Sequence, residues 1–326
     1  MLPFLVSVTL AGTVSSVDDL CEPTDDPCLI DRAVELLRPL ELGDRSLTLG
    51  GSATLTGTNV VIRAGDIWIQ RGSRLEVEGD LELTSSSNLV IDGGIRTDPD
   101  SILILDAARD LTVQGNLSAG GQVLNARGAI TLGGELQGLG DRATIEVHAG
   151  GDLTSHAYIA HTRTIEGTID GLSVYLESEA RVRVVGTIDT RAQHAGDIYI
   201  SGVNSAYVYP YVRADGDLTG GDVTVRSAAG RTTVHGRIDN RGGQTGGNVD
   251  LLADKDVAVY ADVTSGGLTG GTIAVDAPWA VAVFASLYSE NGSVIIGGSP
   301  CHLLLSRTAY LLTPGTGGGN AVQTGG

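Results

Sequence analysis

Three stretches late in the chain decide the fold: GDVTV at 221–225, GNVDL at 247–251 and GTIAV at 271–275. Each begins with glycine, continues with a polar residue, and then places two aliphatic residues on either side of a polar or small one. Because side chains alternate between the two faces of a β-strand, both aliphatic side chains of a phrase point to the same face. The phrase therefore predicts a short strand with one buried face, entered through a glycine corner.

The same phrase recurs along the chain, beginning at 121, 143, 172, 196, 221, 247, 271 and 292. A fainter phrase, made of a small, a polar, an aliphatic and a polar residue, lies between many of the copies, as in Gly236-Arg237-Ile238-Asp239. A repeated strand and turn that cannot bury its aliphatic face alone is typical of stacked coils. The sequence therefore predicts an all-β protein, a right-handed parallel β-helix (β-solenoid) over residues 44–312.

The alternation also predicts which side chains face the interior. Six aliphatic residues are expected to point inward: Val223, Val225, Val249, Leu251, Ile273 and Val275. The residues between them, Thr224, Asp250 and Ala274, are expected to point outward. Glycine contributes 47 of the 326 residues and aromatics only 4%. This composition suits tight corners and a narrow interior filled in layers.

The first residues differ from the repeat. Residues 2–14 are apolar and uncharged, and small residues follow at Val14-Ser15-Ser16. This pattern predicts a secretory signal peptide over residues 1–16, with a buried first strand as the alternative. The signal predicts a protein that is secreted or located at the cell surface. No other stretch approaches the length of apolar sequence that a membrane span requires.

Residues 17–43 are predicted to form a disulfide loop followed by a capping helix. Cys21 and Cys28 bracket a short loop rich in proline and aspartate, which favours a local disulfide in an exported protein. The helical spacing that follows predicts a short helix over 29–40 that covers the first coil, and it is formed by Ile30, Val34, Leu37 and Leu40. At the other end, residues 313–326 are predicted to be a flexible glycine-rich tail.

The net charge of −18 argues against partners that carry phosphate. We therefore expect neither nucleic acid nor anionic lipid as a ligand. No metalloprotease, nucleophile-elbow or phosphate-loop motif occurs in the sequence, so no catalytic residue, metal or cofactor is assigned.

Three aspartates occupy the same place in the fainter phrase: Asp170, Asp189 and Asp239. Arginine follows two residues after the second and third, at Arg191 and Arg241. If the coils stack in register, Asp170 and Asp189 would be neighbours. The favoured interpretation is a solvated ladder of aspartate and arginine. The alternative is a carboxylate cluster of a polysaccharide-cleaving β-helix, which would need convergent acids in a groove.

Tyrosines form the other candidate site. Tyr207, Tyr209 and Tyr211 alternate with small or aliphatic residues, which predicts that their rings share one side. Tyr175 and Tyr199 occupy the same outward position in successive units and are expected to stack and to extend the same patch. Exposed tyrosines would suit stacking on sugar rings or a protein contact. Packing against a protruding corner is the alternative.

The phased glycine-aliphatic units, the scarcity of aromatics and the apolar N-terminus resemble the Gly-rich parallel β-helices of bacterial surface proteins, including filamentous-haemagglutinin-type adhesins. This resemblance implies a structural or adhesive role. A polysaccharide lyase or glycoside hydrolase on a β-helix is the alternative function. The expected partners are a surface or extracellular polysaccharide, or the protein itself, which would form filaments through C-terminal coils that have no predicted cap.

Overall fold

A computed structural model describes residues 12–14, 19–161, 170–297, 301–307, 309–314 and 321–324. These residues form a parallel β-solenoid of about 12 turns, and no α-helix occurs among them. Most coils contribute one strand to each of three faces, and each strand pairs in parallel with the equivalent strand of the next coil. The prediction of an all-β parallel solenoid is therefore confirmed.

Face 1 consists of β4 (Leu40–Glu41), β11 (Ile102–Ala107), β14 (Gly121–Ala126), β17 (Thr144–Ala149), β20 (Ser173–Ser178), β24 (Ile198–Gly202), β28 (Val223–Ser227), β31 (Val249–Ala253), β34 (Thr272–Asp276), β37 (Ser293–Gly297) and β40 (Ala321–Thr324). Face 2 consists of β2 (Cys28–Ile30), β5 (Leu47–Leu49), β7 (Ile67–Ile69), β9 (Leu89–Ile91), β12 (Leu111–Val113), β15 (Ile130–Leu132), β18 (Leu153–Ser155), β21 (Arg181–Val184), β25 (Ser205–Val208), β29 (Arg231–Val234), β32 (Asp256–Val259), β35 (Ala280–Val283) and β38 (His302–Leu305).

Face 3 consists of β1 (Gly12–Val14), β3 (Val34–Leu36), β10 (Gly94–Arg96), β13 (Leu117–Ala119), β16 (Glu135–Gly138), β19 (Tyr158–His161), β22 (Ile188–Asp189), β26 (Val212–Arg213), β30 (Ile238–Asp239), β33 (Val263–Gly266), β36 (Leu287–Glu290) and β39 (Leu311–Leu312). Two long strands, β6 (Thr54–Ala64) and β8 (Arg74–Ser85), run from face 3 into face 1 and join them into one 25-stranded sheet. Face 2 is a separate 13-stranded sheet, and β23 (Ala192–His194) pairs with β27 (Gly216–Thr219) at a corner.

The core is a continuous column of aliphatic side chains that runs through the coils. All six residues predicted to face inward are buried, with 0% exposure. Thr224, Asp250 and Ala274 are only partly buried. The predicted strand register is therefore confirmed in these three coils.

The glycine that opens each phrase is required by the stacking of the coils. Gly221, Gly247 and Gly271 lie above one another, and a Cβ atom built on Gly247 or Gly271 would collide with the carbonyl oxygen of the glycine in the preceding coil. Only a residue without a side chain lets the two backbones approach this closely. The glycine column therefore fixes the corner between face 3 and face 1.

The polar residue after that glycine connects one coil to the next. The Asp222 side chain accepts a hydrogen bond from the Asn248 backbone N–H at 2.7 Å, and the Asn248 side chain accepts one from the Thr272 N–H at 2.9 Å. These backbone donors would otherwise lie at a strand start without a strand partner. Some of the acidic side chains therefore accept backbone hydrogen bonds at the corners of the solenoid rather than bind a ligand.

The predicted helix over 29–40 is wrong, because these residues form the short strands of the first coil. Buried residues occur in pairs at Cys28 and Ile30 and at Val34 and Leu36, which is the period of a strand. Three-residue corners between the strands produce some four-residue spacings that imitate a helix. Leu37, expected on the buried face, is 59% exposed.

The first coil is covered in another way. Cys21 and Cys28 are joined by a disulfide, and both are almost completely buried. Strand β1 lies within the predicted signal peptide and pairs with β3 on face 3. Its Gly12 and Thr13 are exposed, so it is not the buried first strand of the alternative prediction. Residues 1–11 and 15–16 of that segment lie outside the described residues.

The final coils extend into the predicted tail. Strand β40 lies within 313–326 and pairs in parallel with β37 on face 1. In the last strand of face 2, Leu303 and Leu305 continue the inward column of Val281 and Val283. They are nevertheless 42% and 41% exposed.

Candidate binding surface

Charged side chains are concentrated on three successive coils of face 3. The residues of this charge array are Asp189, Arg191, Tyr211, Arg213, Asp215, Arg237, Asp239 and Arg241. Within each coil they are two residues apart, so they leave the strand on the same side. Between coils, Asp189 is in register with Arg213, and Arg213 is in register with Asp239. Acidic and basic residues therefore alternate both along each coil and from one coil to the next.

Asp239 lies at the centre of the strongest contacts. Its carboxylate accepts hydrogen bonds from Arg241 Nε and Nη2, each at 2.7 Å, and from Arg237 Nη2 at 3.0 Å. The Tyr211 hydroxyl donates a further bond at 3.2 Å. With 1% exposure, Asp239 is completely covered by these partners. Burial by itself would raise the pKa of Asp239, but the two arginines outweigh it and hold the pKa below the ordinary value.

Asp189 has the same arrangement two coils earlier. Arg191 binds it through Nε at 2.8 Å and through Nη2 at 2.6 Å. Burial again acts to raise the pKa of Asp189, and the hydrogen bonds from Arg191 again bring it below the ordinary value. Both carboxylates are therefore ionised and already occupied by arginine.

Tyr211 contacts two guanidinium groups. The Arg213 guanidinium carbon lies 5.0 Å from the centre of the ring, and that of Arg237 lies 5.6 Å from it. Both distances fall within the range of a cation–π contact. The Tyr211 ring therefore already contacts protein cations, which reduces the aromatic surface that is open to a sugar.

Asp215 differs from the other two carboxylates. Burial raises its pKa above the ordinary value, and the nearby charge of Asp239 acts in the same direction. Its closest cation is Arg213, whose Nε lies 3.5 Å from Asp215 Oδ1. Neither of these two buried atoms has a hydrogen-bond partner among the described residues. Asp215 Oδ1 is therefore a buried carboxylate oxygen of the array that has no hydrogen-bond partner among the described residues.

Asp170, the third predicted member of the acidic ladder, lies elsewhere. It forms an ion pair with Arg142 at 2.7 Å and is bridged to His194 through the backbone. The strand neighbour of Asp189 in the preceding coil is Ala160. Asp170 and Asp189 are therefore not in register, and the expectation that they stack as strand neighbours is wrong. Asp189 and Asp239 do share one column, separated by Arg213.

The five predicted tyrosines do not form one patch. Tyr207 and Tyr209 stack with ring centres 6.4 Å apart at the end of face 2, whereas Tyr211 lies beyond the corner in the charge array. Tyr175 and Tyr199 are in register with each other on face 1. Because the chain turns at Pro210, alternation does not continue from Tyr209 to Tyr211.

An aromatic ladder that the sequence reading missed starts at Tyr209. Its rings are those of Tyr209, His235, Tyr260 and Phe284, with centres 4.6 to 5.0 Å apart in successive coils. In three of the four coils, the ring directly precedes the small residue of the fainter phrase, at Gly236, Ala261 and Ala285. Because stacked rings cover one another, mainly their edges remain exposed. The ladder therefore joins the coils rather than presenting ring faces to a ligand.

A groove runs beside the charge array at the corner between face 3 and face 1. This corner groove has a volume of about 390 Å³ and is lined by glycines together with Asp215, Arg241, Leu268, Glu290 and Asn291. The corner loops stack through backbone hydrogen bonds, from Gly216 N–H to the Arg241 carbonyl at 2.9 Å and from Gly242 N–H to the Gly266 carbonyl at 2.8 Å. The groove therefore crosses successive coils and runs along the solenoid axis.

Across the described ranges, no group of three or more His, Cys, Asp or Glu side chains is placed to hold a metal ion. Within the same ranges, no helix is long and apolar enough to cross a membrane.

Comparisons with known proteins identify no relative. No protein-family model matches the chain, no curated protein matches it, and no solved structure matches it. The likeness to filamentous-haemagglutinin-type solenoids stays a resemblance in sequence pattern. The function therefore has to be inferred from the side chains of this chain.

Proposed function

We propose that this protein is an exported β-solenoid scaffold with an adhesive role, which binds polysaccharide along its surface without cleaving it. This proposal rests on the ionised, arginine-bound form of the carboxylates in the charge array. Asp189 and Asp239 are each held by arginine at hydrogen-bonding distance and have lowered pKa values. An ionised carboxylate in this state is a poor proton donor, and its lone pairs are not free to activate water.

A binding assay combined with a product assay tests this proposal. The protein is run through gels that contain soluble neutral or acidic polysaccharides, and the same polysaccharides are incubated with it and analysed for new chain ends. We expect retarded migration in at least one gel and no shortening of any polysaccharide. Normal migration in every gel would contradict the adhesive role.

Cleavage of a polysaccharide is the second candidate function, and Asp215 is the observation that favours it. Its pKa is raised by burial whereas that of neighbouring Asp239 is lowered, and opposed shifts of this kind are found in acid and base pairs. Shortened chains in the product assay, abolished by Asp215→Asn, would establish this function in place of adhesion.

Export is a separate part of the proposal. It is supported by the uncharged apolar residues 2–14 and by the Cys21–Cys28 disulfide, which is typical of oxidising compartments. N-terminal sequencing of the protein recovered from the exported fraction tests it. A mature chain that begins after Ser16 is the expected result. Recovery of residues 12–14 in the folded protein would instead favour their role as strand β1.

A further inference from the structure

We propose that the corner groove is a binding site for a neutral polysaccharide chain that lies parallel to the solenoid axis. This inference rests on the proposed function, because it names the site and the class of ligand. Its five lining side chains, Asp215, Arg241, Leu268, Glu290 and Asn291, come from four successive coils.

The length of the groove suits an extended polymer. Residues Asp215, Arg241, Gly266 and Glu290 follow one another from coil to coil at the same position, and Gly266 and Glu290 are directly in register. Three steps of about 4.8 Å give a groove on the order of 14 Å long. A site of this length accommodates a short oligosaccharide segment, and its open form lets a longer chain continue beyond it.

The glycine floor allows the ligand to approach the backbone. Glycines 216, 242, 243, 266 and 267 line the groove, so no Cβ atoms project from the floor at these positions. Leu268 is 80% exposed and supplies an apolar wall beside this floor. A sugar ring has apolar C–H patches and hydroxyl edges, and it can place the former against Leu268 and the latter towards the polar residues.

The polar residues suit hydroxyl groups better than charged groups. Asp215 Oδ1 is buried, but the side chain as a whole is 29% exposed, so the carboxylate can accept from a hydroxyl at its exposed edge. Arg241 uses Nε and Nη2 for Asp239, so its Nη1 remains available as a donor, and half of its side chain is exposed. Two acidic groups and one arginine line the groove, and the whole chain carries −18. A polyanion would therefore be repelled, whereas a neutral chain would not.

A pair of double variants tests the site. Leu268→Ala with Glu290→Gln removes the apolar wall and one acceptor without touching the core, since Leu268 is largely exposed and Glu290 is exposed. The matched control is Leu37→Ala with Glu76→Gln. Leu37 is 59% exposed near the first coil, and Glu76 lines two other grooves. Gels containing a neutral β-linked glucan or polygalacturonate are used as probes, and the folded state of each variant is checked by thermal melting.

We expect the glucan to retard the wild-type chain and the control equally. The dissociation constant of the groove variant for the glucan should be about tenfold higher, which corresponds to the loss of one or two good contacts. Polygalacturonate should cause little retardation. If the glucan retards the groove variant as strongly as the wild type, this site is wrong but polysaccharide binding stands. If polygalacturonate binds more strongly than the glucan, the assignment of a neutral ligand is wrong. If no polysaccharide retards the wild type, the proposed function fails together with this inference.

Discussion

At the scale of single residues, the solenoid separates side chains by whether they face the interior or the solvent. Val249 and Asp250 are neighbours in one strand, yet Val249 has 0% exposure whereas Asp250 is only partly buried. Burial raises the pKa of Asp250, with a further contribution from the charge of Asp222. The charge on Asp250 is therefore slightly unfavourable in the folded protein at neutral pH.

This difference predicts opposite outcomes at adjacent positions. Val249→Asp places an unpaired charge in the core and is expected to lower the free energy of unfolding by about 4 kcal/mol. Asp250→Asn removes an unfavourable charge and should leave stability unchanged or slightly higher. Urea denaturation of the two variants measures both effects. Equal losses at the two positions would show that the strand register is different.

The charge array predicts a specific dependence on pH. In the folded protein the pKa of Asp239 is below its ordinary value. The ionised carboxylate therefore stabilises the fold at any pH above that ordinary pKa, and this stabilisation is lost as the pH falls through the folded pKa. In Asp239→Asn this contribution, on the order of 2 kcal/mol, is absent. The melting temperature of the variant should therefore be lower at pH near 6 and should decline less as the pH is lowered below about 4.

Asp250→Asn is the control with the opposite sign. Because its folded pKa is raised, Asp250 contributes stability at low pH that is lost as the pH rises. Removing this carboxyl should therefore leave the acid-induced loss of stability in place. If Asp239→Asn melts with the same pH profile as the wild type, the arginine contacts of Asp239 do not stabilise the ionised carboxylate.

At the scale of structural elements, the corners decide how closely coils can stack. A Cβ atom on Gly247 would meet the backbone of Gly221, whereas one on Gly94 would have no atom within 4 Å. Gly247→Ala should therefore lower the free energy of unfolding by about 2 kcal/mol, because two backbones would have to move apart. Gly94→Ala should be neutral. Similar melting temperatures for the two variants would contradict a backbone clash at this corner.

The elements also show why some sequence predictions failed. In the first coil, short strands and corners alternate at spacings that approach four residues, and this pattern imitates a helix. Tyr209 and Tyr211 alternate in the sequence, but a corner separates them. In both cases a local period was continued through a change of direction, and the sequence around Pro39 and Pro210 gives only a weak signal of that change.

At the scale of the whole molecule, the interior column formed by the described residues remains partly open at Leu303 and Leu305. Their counterparts one coil earlier, Val281 and Val283, have 0% exposure. We expect the 326-residue chain to self-associate through this surface, because a second copy would bury the inward leucines and pair with the strand edges. Light scattering over a wide concentration range should show a molecular mass that rises with concentration.

A pair of variants distinguishes this contact from non-specific hydrophobic association. Replacing both Leu303 and Leu305 by Gln should leave a monomer, whereas Leu304→Gln alters an outward leucine that is 53% exposed and should change association less. A wild-type chain that stays monomeric at all concentrations would rule out self-association by this route. Whether the assembly grows into filaments depends on whether the covered first coil can dock on this surface.

The class of fold and the identity of the inward residues follow from the sequence alone. Both depend on a period of two within a strand and on glycine at a recurring corner, and these are local properties that each phrase carries on its own. This is why Val223, Val249 and Ile273 could be assigned to the core without knowing which coil lies next to which.

The side chains that meet between coils are set by the three-dimensional path of the chain. Coil lengths vary, from 19 residues between the register partners Ile102 and Gly121 to 29 between Thr144 and Ser173, so partners cannot be assigned from a fixed period. Asp189 faces Arg213 and not Asp170, and Tyr209 continues into His235 and not into Tyr211. The corner groove arises in the same way, because its lining residues become neighbours only after the corner loops have stacked. Contacts within a strand follow from the order of residues, whereas contacts between coils depend on the length and path of every intervening corner.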